Sequence, residues 1–247
     1  MEYVYGKNTV IELIKSKNEV AGIYLEDKQS KKPYFKEIFV ELKKSGRSIP
    51  VGYKSREELI KLSGSPENQG VIAEVPGFKK MSLGGFLKEN KNVEKSFLFL
   101  LDCIHDPHNM GAIIRSAYAM GVTGCVVFDK RSAKINSTVA KTSAGALFHI
   151  PIICASGVLE AIANLKNDGY QILGCEMTAE KNVFDEDFTK GKYAVILGNE
   201  GEGLAGKTSA KVDREVRIPM PGQFESLNVS VTAGILAYEY MRQNVKN

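Results

Sequence analysis

A run of apolar residues at positions 97–101, Phe-Leu-Phe-Leu-Leu, most constrains the fold of this 247-residue chain. A strand built from consecutive apolar side chains must be covered on both faces, as in a parallel sheet. Further short apolar segments follow at 125–128, 150–153, 172–175 and 193–197, with helical patterns between them. This alternation predicts an α/β fold whose parallel sheet carries helices on both faces.

The preceding residues predict a separate, smaller α/β/α unit over 1–75. In this unit, Asn8 is expected to cap the first helix and Pro33 to open the second. Residues 76–95 contain a proline, three glycines and several lysines, a composition typical of a linker. We therefore expect an N-terminal domain over 1–75, a linker over 76–95 and a C-terminal domain over 96–247.

The composition is that of an ordinary globular protein, with 43% hydrophobic and 25% charged residues. It disfavours a disordered, collagen-like or disulfide-dense chain. The four cysteines are widely spaced, which favours reduced thiols. The sequence contains no apolar run of about 18 residues, and its first residues do not resemble a signal peptide. We expect a cytoplasmic protein without a membrane partner.

The positive charge is concentrated near the N-terminus. Residues 1–95 carry 18 Lys+Arg against 13 Asp+Glu, whereas residues 96–247 carry 15 against 16. A basic cluster in this half comprises Lys28, Lys31, Lys32, Lys36, Lys43, Lys44 and Arg47. Such a surface can attract phosphate groups, and it can equally be a solvated lysine-rich face. The charge permits a nucleic-acid partner without establishing one.

Residues 201–208, Gly-Glu-Gly-Leu-Ala-Gly-Lys-Thr, match the phosphate-binding pattern of nucleotide triphosphatases. In that class Lys207 would neutralise phosphate and Thr208 would hold Mg²⁺. Such a loop must open a helix that faces the phosphates, but a strand pattern begins again at residue 215. We interpret the match as coincidental and keep a nucleotide triphosphatase as an alternative.

A metal site is the second candidate, because Cys103, His105 and His108 are close in sequence. These residue types bind zinc, but no second ligand pair follows at a known spacing. We therefore expect no metal, with the two histidines shaping the loop after the strand.

Three further segments follow predicted strand ends, at 101–117, 195–204 and 218–231. A parallel sheet offers its ligand crevice at that edge. Asn109 is predicted to cap the next helix, and Arg115 lies inside that helix. Glycines in the other two segments allow backbone amides to approach a ligand closely.

Together these segments resemble the three signature motifs of the SpoU (TrmH) family of RNA ribose 2′-O-methyltransferases, in the SPOUT superfamily. The resemblance covers residues 96–247. Residues 1–75 resemble the L30e-like RNA substrate-binding domain of family members that act on 23S rRNA. The resemblance implies a C-terminal domain with a deep trefoil knot, S-adenosyl-L-methionine as cofactor, and a homodimer formed through the knotted domains. It implies a guanosine of 23S rRNA as the substrate, with tRNA as the alternative.

The resemblance also implies site residues. The cofactor pocket is expected to involve Leu197, Gly198, Ile218, Met220 and Leu227, with residues 176–178 as a further wall. The catalytic group is expected to comprise Arg115, Asn109, Glu200, Ser226 and Asn228.

A ribose 2′-hydroxyl is a poor nucleophile at neutral pH and needs activation. A guanidinium is protonated and has no free acceptor, so a base role for Arg115 would need help from the substrate phosphate. Its alternative role is to orient the phosphate and stabilise negative charge on the 2′-oxygen. Glu200 would orient Arg115 or the ribose, and the other three residues would supply neutral hydrogen bonds. The neutral thioether leaving group requires no metal.

A non-catalytic RNA-binding module is a third hypothesis, because the N-terminal unit alone would serve that role. The joint presence of Arg115, Glu200, Ser226 and Asn228 disfavours it.

Lys207→Ala separates the two enzyme classes. A methyltransferase should keep its activity, because the lysine is outside the expected site, whereas a nucleotide triphosphatase should lose phosphate binding. Methyl transfer to RNA and phosphate release from nucleoside triphosphate measure the two activities. Loss of methyl transfer in this variant would contradict the expected site.

Overall fold

The computed structural model describes residues 1–27, 33–128, 132–198, 203–222 and 226–245, and for residues 33 and 34 the backbone alone. The strands, in chain order, are β1 (Glu2–Tyr5), β2 (Gly22–Glu26), β3 (Val51–Lys54), β4 (Val71–Val75), β5 (Met81–Ser82), β6 (Ser96–Leu101), β7 (Gly124–Phe128), β8 (Ile152–Ala155), β9 (Tyr170–Cys175), β10 (Lys192–Leu197) and β11 (Arg214–Val216). The α-helices are α1 (Lys7–Lys15), α2 (Pro33–Ser45), α3 (Arg56–Ser63), α4 (Leu83–Glu89), α5 (Pro107–Ala119), α6 (Ser137–Thr142), α7 (Val158–Asn167), α8 (Gly206–Ser209) and α9 (Val229–Asn244).

The chain is divided into two compact units. The first combines Met1–Lys79 with Ile135–His149, and the second combines Lys80–Lys134 with Ile150–Asn247. The first contains a sheet of order β1-β4-β2-β3, and the second a sheet of order β11-β9-β10-β6-β7-β8-β5. The segment Ile135–His149, which includes α6, belongs to the first unit although it follows β7 in sequence.

Part of the predicted linker over 76–95 is folded. β5 pairs with β8, and α4 follows it directly. Leu83 and Phe86 are buried in the core of the second unit, and the Ser82 hydroxyl accepts a hydrogen bond from the Gly85 amide at the start of α4. The glycines and lysines of this segment suggested a linker, but an apolar pair at i and i+3 anchors the short helix.

The first unit is mixed, since β4 is antiparallel to β1 and β2, whereas β2 and β3 are parallel. Leu59 of α3 packs with Tyr5 and Ile72 on one face of the sheet. Val4 and Ala73 pair in register, point to the other face and are fully buried. That face is covered by α1, so helices lie on both sides of this sheet.

The start of α1 differs from the prediction. Gly6 precedes the first helical residue with φ 95°, and Asn8 lies inside the helix. A left-handed φ is accessible to glycine at little cost, which allows the chain to turn from β1 directly into α1. By contrast, α3 has a complete capping box between Ser55 and Glu58.

Arg47 closes the C-terminal end of α1. Its guanidinium donates hydrogen bonds to the carbonyl oxygens of Leu13, Ile14, Ser16 and Asn18, at distances from 3.4 to 2.5 Å. The last carbonyls of a helix have no partner within the helix, and a cation there also opposes the negative end of the helix dipole. Arg47 is therefore a structural residue of the first unit.

Two of the seven residues of the predicted basic cluster make contacts within the first unit. Lys28, Lys31 and Lys32 lie outside the described residues. Lys44 pairs with Glu41 at 2.7 Å, and Arg47 is engaged with α1.

The second unit has the expected parallel sheet, since every strand pair described in it is parallel. β6 is fully buried along its length, and β10 from Tyr193 onward. The carboxyl ends of the strands therefore meet at one edge of the sheet.

The C-terminal helix returns to the middle of this sheet. β11 is the outermost strand, yet α9 packs against α5, and the Tyr240 ring of α9 stacks on Phe97 of the central strand β6 at 4.5 Å. Phe188 contacts both rings edge-on. The chain thus crosses from the edge of the sheet to its centre between residues 217 and 229.

No helix in the described ranges is long and apolar enough to cross a membrane. All four cysteines are described, and each is free of disulfide bonds.

Arg47→Ala should lower the free energy of unfolding by about 1–3 kcal/mol, because it leaves several helix-end carbonyls without their charged donor. Urea unfolding followed by circular dichroism measures the change. Arg56→Ala is the matched control, since Arg56 is exposed on α3. Equal losses in both variants would contradict the capping role.

Candidate functional site

Residues of the candidate site follow the carboxyl ends of neighbouring strands. Asp102 follows β6, Glu176 follows β9, Gly198 follows β10, and Ile218 lies two residues beyond β11. β10 lies between β6 and β9, and β11 flanks β9. A ligand crevice at this edge is the usual consequence of parallel strands.

The helix after β6 presents two predicted site residues. α5 begins at Pro107, and the Asp106 side chain caps it by accepting a hydrogen bond from the His108 amide at 2.8 Å. The prediction that Asn109 caps this helix is therefore wrong, because Asn109 lies in the first turn of the helix. Proline favours the first helical position and aspartate the position before it, which moves the helix start toward the N-terminus. Arg115 lies about two turns into the helix and is exposed.

Two of the predicted residues meet across the unit. The Asn228 amide nitrogen donates a hydrogen bond to Asn109 Oδ1 at 3.1 Å. Asn228 also caps α9, because its Oδ1 accepts from the Ser230 amide at 2.9 Å. The contact brings the N-terminal ends of α5 and α9 together, and both carry partial positive charge. This arrangement favours a phosphate or a developing oxyanion nearby.

Gly198, directly after β10, lies in close contact with Gly203, and we call this contact the glycine return. A Cβ at Gly198 would lie 2.6 Å from the Gly203 carbonyl oxygen. Gly203 has φ +63°, and a Cβ there would lie 2.7 Å from a Glu176 carboxylate oxygen. Only glycine fits at both points, so the backbone itself shapes this part of the edge.

Glu176 holds the end of this return. Its Oε1 accepts a hydrogen bond from the Leu204 amide. Burial raises the pKa of Glu176, with a smaller rise from Glu215, while the Leu204 hydrogen bond lowers it. A partly buried carboxylate thus fixes the backbone beside Gly203.

Apolar residues border the same edge. Leu197 and Ile218 are buried, whereas Met220 and Leu227 are half-buried. Ser226 is exposed next to Leu227. Glu200 lies outside the described residues.

Sequence reasoning did not find two features of the site. Residues 176–178 were expected as a wall, without a role for the Glu176 carboxylate. Cys103, directly after Asp102, has φ 60°, which a residue with a side chain rarely adopts. No pattern in the sequence signals either the hydrogen bond to Leu204 or this backbone conformation.

The geometry of the described residues does not favour the two alternatives, a nucleotide triphosphatase and a metal site. The helix α8, which begins within the phosphate-loop match, has only four residues, with Lys207 exposed and Thr208 buried. In the part of the chain that the structure describes, no three His, Cys, Asp or Glu side chains group as metal ligands.

Gly198→Ala should destabilise the second unit by about 1–3 kcal/mol, because its methyl group would collide with backbone at Gly203. It should also weaken binding of S-adenosylmethionine, the ligand that the resemblance implies. Gly206→Ala is the control, since a Cβ there meets no atom within 4 Å. Unfolding midpoints and calorimetric titration measure both effects, and a normal Gly198→Ala protein would refute the tight return.

The chain matches two family models. Residues 96–238 match the SpoU rRNA Methylase family, and residues 3–81 match the RNA 2′-O ribose methyltransferase substrate-binding domain.

Relatives match over nearly the whole chain. A Bacillus subtilis (strain 168) protein named putative TrmH family tRNA/rRNA methyltransferase YacO is 33% identical over 244 residues, covering 98% of this chain and 96% of the relative. The 23S rRNA (guanosine-2′-O-)-methyltransferase RlmB of Xanthomonas campestris pv. campestris is 33% identical over 247 residues, covering 99% and 97%.

The fold is also similar to solved structures. The SpoU methyltransferase AviRb from Streptomyces viridochromogenes has a TM-score of 0.78 at 23% identity, covering 98% of this chain and 89% of that chain. Its complex with the cofactor AdoMet has the same TM-score at 24% identity and the same coverage. Because family models match both parts of the chain and relatives match nearly all of it, this chain belongs to the SpoU rRNA methylase family.

Proposed function

We propose that this protein transfers a methyl group from S-adenosylmethionine to a ribose 2′-hydroxyl of RNA, with a guanosine of 23S rRNA as substrate. The observation that carries the proposal is the Asn109–Asn228 contact, which joins the first and third motifs. The second motif follows β10, which ends beside β6 at the same edge of the sheet. The name of the RlmB relative supports 23S rRNA, and the YacO name covers both tRNA and rRNA.

The residues present suit the cofactor. The glycine return leaves backbone groups uncovered where a Cβ would otherwise project. The half-buried Leu227 offers apolar surface for an adenine ring, and the buried Leu197 and Ile218 make the same edge apolar. Gly198 and Met220 complete the proposed binding set. Bound there, S-adenosylmethionine supplies an electrophilic methyl group on a sulfonium.

Arg115 is the proposed catalytic residue. Its exposed guanidinium can bind the substrate phosphate and stabilise charge that develops on the 2′-oxygen. Asn109 and Asn228 hold one another and can position the ribose, with Ser226 beside them. Glu200 is proposed to orient Arg115 or the ribose. These groups arrange and stabilise the hydroxyl without a metal.

The first unit is proposed to supply RNA affinity. It matches the substrate-binding family model, and all of the surplus positive charge of the chain lies before residue 96. We propose residues 1–75 as the RNA-binding domain and 96–247 as the catalytic domain, with the division inside the segment 76–95. Within 96–247, the segment Ile135–His149 packs with the first unit.

The knot and the homodimer are further parts of the proposal. The return of α9 from the edge strand to the middle of the sheet supports a threaded chain. Tyr118, Val231 and Tyr238 are exposed apolar side chains on the paired helices α5 and α9, which supports dimerisation through this domain. We also propose a cytoplasmic location, which ribosomal RNA as substrate supports.

Arg115→Ala should lower methyl transfer by at least about 100-fold, the size of a lost charge-stabilising donor, while S-adenosylmethionine binding remains. Labelled methyl transfer and calorimetric titration measure the two properties. Lys207→Ala is the matched control for loss of a cation in the same domain. Loss of cofactor binding together with activity would show that Arg115 belongs to the cofactor pocket.

The substrate is tested with labelled S-adenosylmethionine, undermethylated 23S rRNA and bulk tRNA, followed by mapping of the labelled nucleotide. Label on one 2′-oxygen of 23S rRNA is the expected result. Label in tRNA would overturn the substrate, and label in neither RNA would overturn the function.

A further inference from the structure

One face of the first sheet carries a group of aromatic and charged side chains beside α3. Tyr3 pairs in register with Glu74, which pairs with Gly22, and Tyr24 pairs with Gly52. Because side chains alternate between faces, these residues all point to the same side of the sheet. All of them except Gly22 are partly exposed.

The Tyr24 ring lies along the sheet surface. A Cβ at Gly52 would be 3.3 Å from one edge of the ring, and a Cβ at Gly22 would be 3.7 Å from its hydroxyl oxygen. The ring therefore extends over two positions that have no side chain. A ring held flat in this way turns one face toward solvent, as a stacking partner for a base must.

Glu74 is held beside this ring. The Tyr24 hydroxyl donates a hydrogen bond to Glu74 Oε2 at 3.0 Å. Hydrogen bonding to Glu74 is the main cause of the raised pKa of Tyr24, and burial followed by the Glu74 charge raises that of Tyr3. The carboxylate is thus oriented, and its remaining lone pairs can accept further hydrogen bonds.

Lys54 completes the group. Its ammonium nitrogen lies 5.0 Å from the centre of the Tyr24 ring. The lysine chain is flexible, so a base that takes its place on the ring leaves the ammonium free to bind the phosphate of the same nucleotide. The ring can stack on a base, the carboxylate can accept hydrogen bonds from the edge of that base, and the ammonium can bind the phosphate of the same nucleotide.

We propose that Tyr24, Glu74 and Lys54 form a binding site for an unpaired guanine of RNA. Guanine offers two adjacent donors on its Watson–Crick edge, N1–H and the N2 amine, which suit one carboxylate. Adenine and cytosine present one amine beside an acceptor that Glu74 would repel, and uracil presents a single donor between two carbonyls. The site rests on the proposed RNA function and adds a base preference to it.

The test measures binding of the full-length protein to short fluorescent oligouridines with one central guanosine, inosine or adenosine. Inosine lacks the N2 amine, and we expect the intact protein to bind the guanosine probe about tenfold more tightly than the inosine probe. Glu74→Gln should abolish this preference. Glu2→Gln is the control, since Glu2 is exposed on the neighbouring strand and points to the other face.

Variants of Tyr24 test whether a base stacks on its ring. Tyr24→Leu should weaken binding of all three probes by about tenfold, whereas Tyr24→Phe keeps the ring and should bind the inosine and adenosine probes within about twofold of the intact protein. Because Tyr24→Phe loses the hydrogen bond to Glu74, its preference for the guanosine probe should fall. Tyr53→Leu should change nothing, because Tyr53 is exposed on the opposite face of the sheet. Thermal unfolding of each variant checks that the domain is folded.

The outcomes separate the two proposals. Equal binding of guanosine and inosine probes, or a Tyr24→Leu protein that binds normally, would overturn the guanine site alone if methyl transfer to RNA persists. Absence of RNA methylation by the intact protein would overturn the proposed function instead.

Discussion

The parallel pairing of β6, β10 and β9 is the constraint on which the rest of the second unit depends. Six residues of β10 pair in register with β6 and five with β9, and nearly all of them are buried. Buried strands have no room for polar chemistry, so the reactive groups collect at the carboxyl edge. The positions of Asp102, Glu176 and Gly198 all follow from this register.

At that edge the chain relies on backbone and neutral groups more than on clustered charge. Gly198 and Gly203 approach so closely that no side chain fits, and Glu176 fixes the segment through a single amide. Asn109 and Asn228 join two helix ends. These contacts restrain Gly198, Asn109 and Asn228, which suits a reaction that depends on alignment of a weak nucleophile with a methyl group.

The first unit is organised differently. Its mixed sheet leaves part of one face beside α3 accessible, with aromatic and charged groups, whereas most of the second sheet is covered. The folded segment that contains β5 and α4 lies in the predicted linker but belongs to the core of the second unit.

From the sequence alone, the apolar runs determined the parallel α/β fold, and the three motifs marked the edge where the site lies. Both depend on local patterns, namely burial on two faces and glycine at strand ends. The tertiary structure decided the Asn109–Asn228 contact, the role of Glu176 and the use of Arg47 as a helix cap. It also decided that Asn109 lies within α5 and that residues 135–149 join the first unit. These features join residues far apart in the chain, and no local pattern specifies which distant group satisfies a given amide, carbonyl or charge.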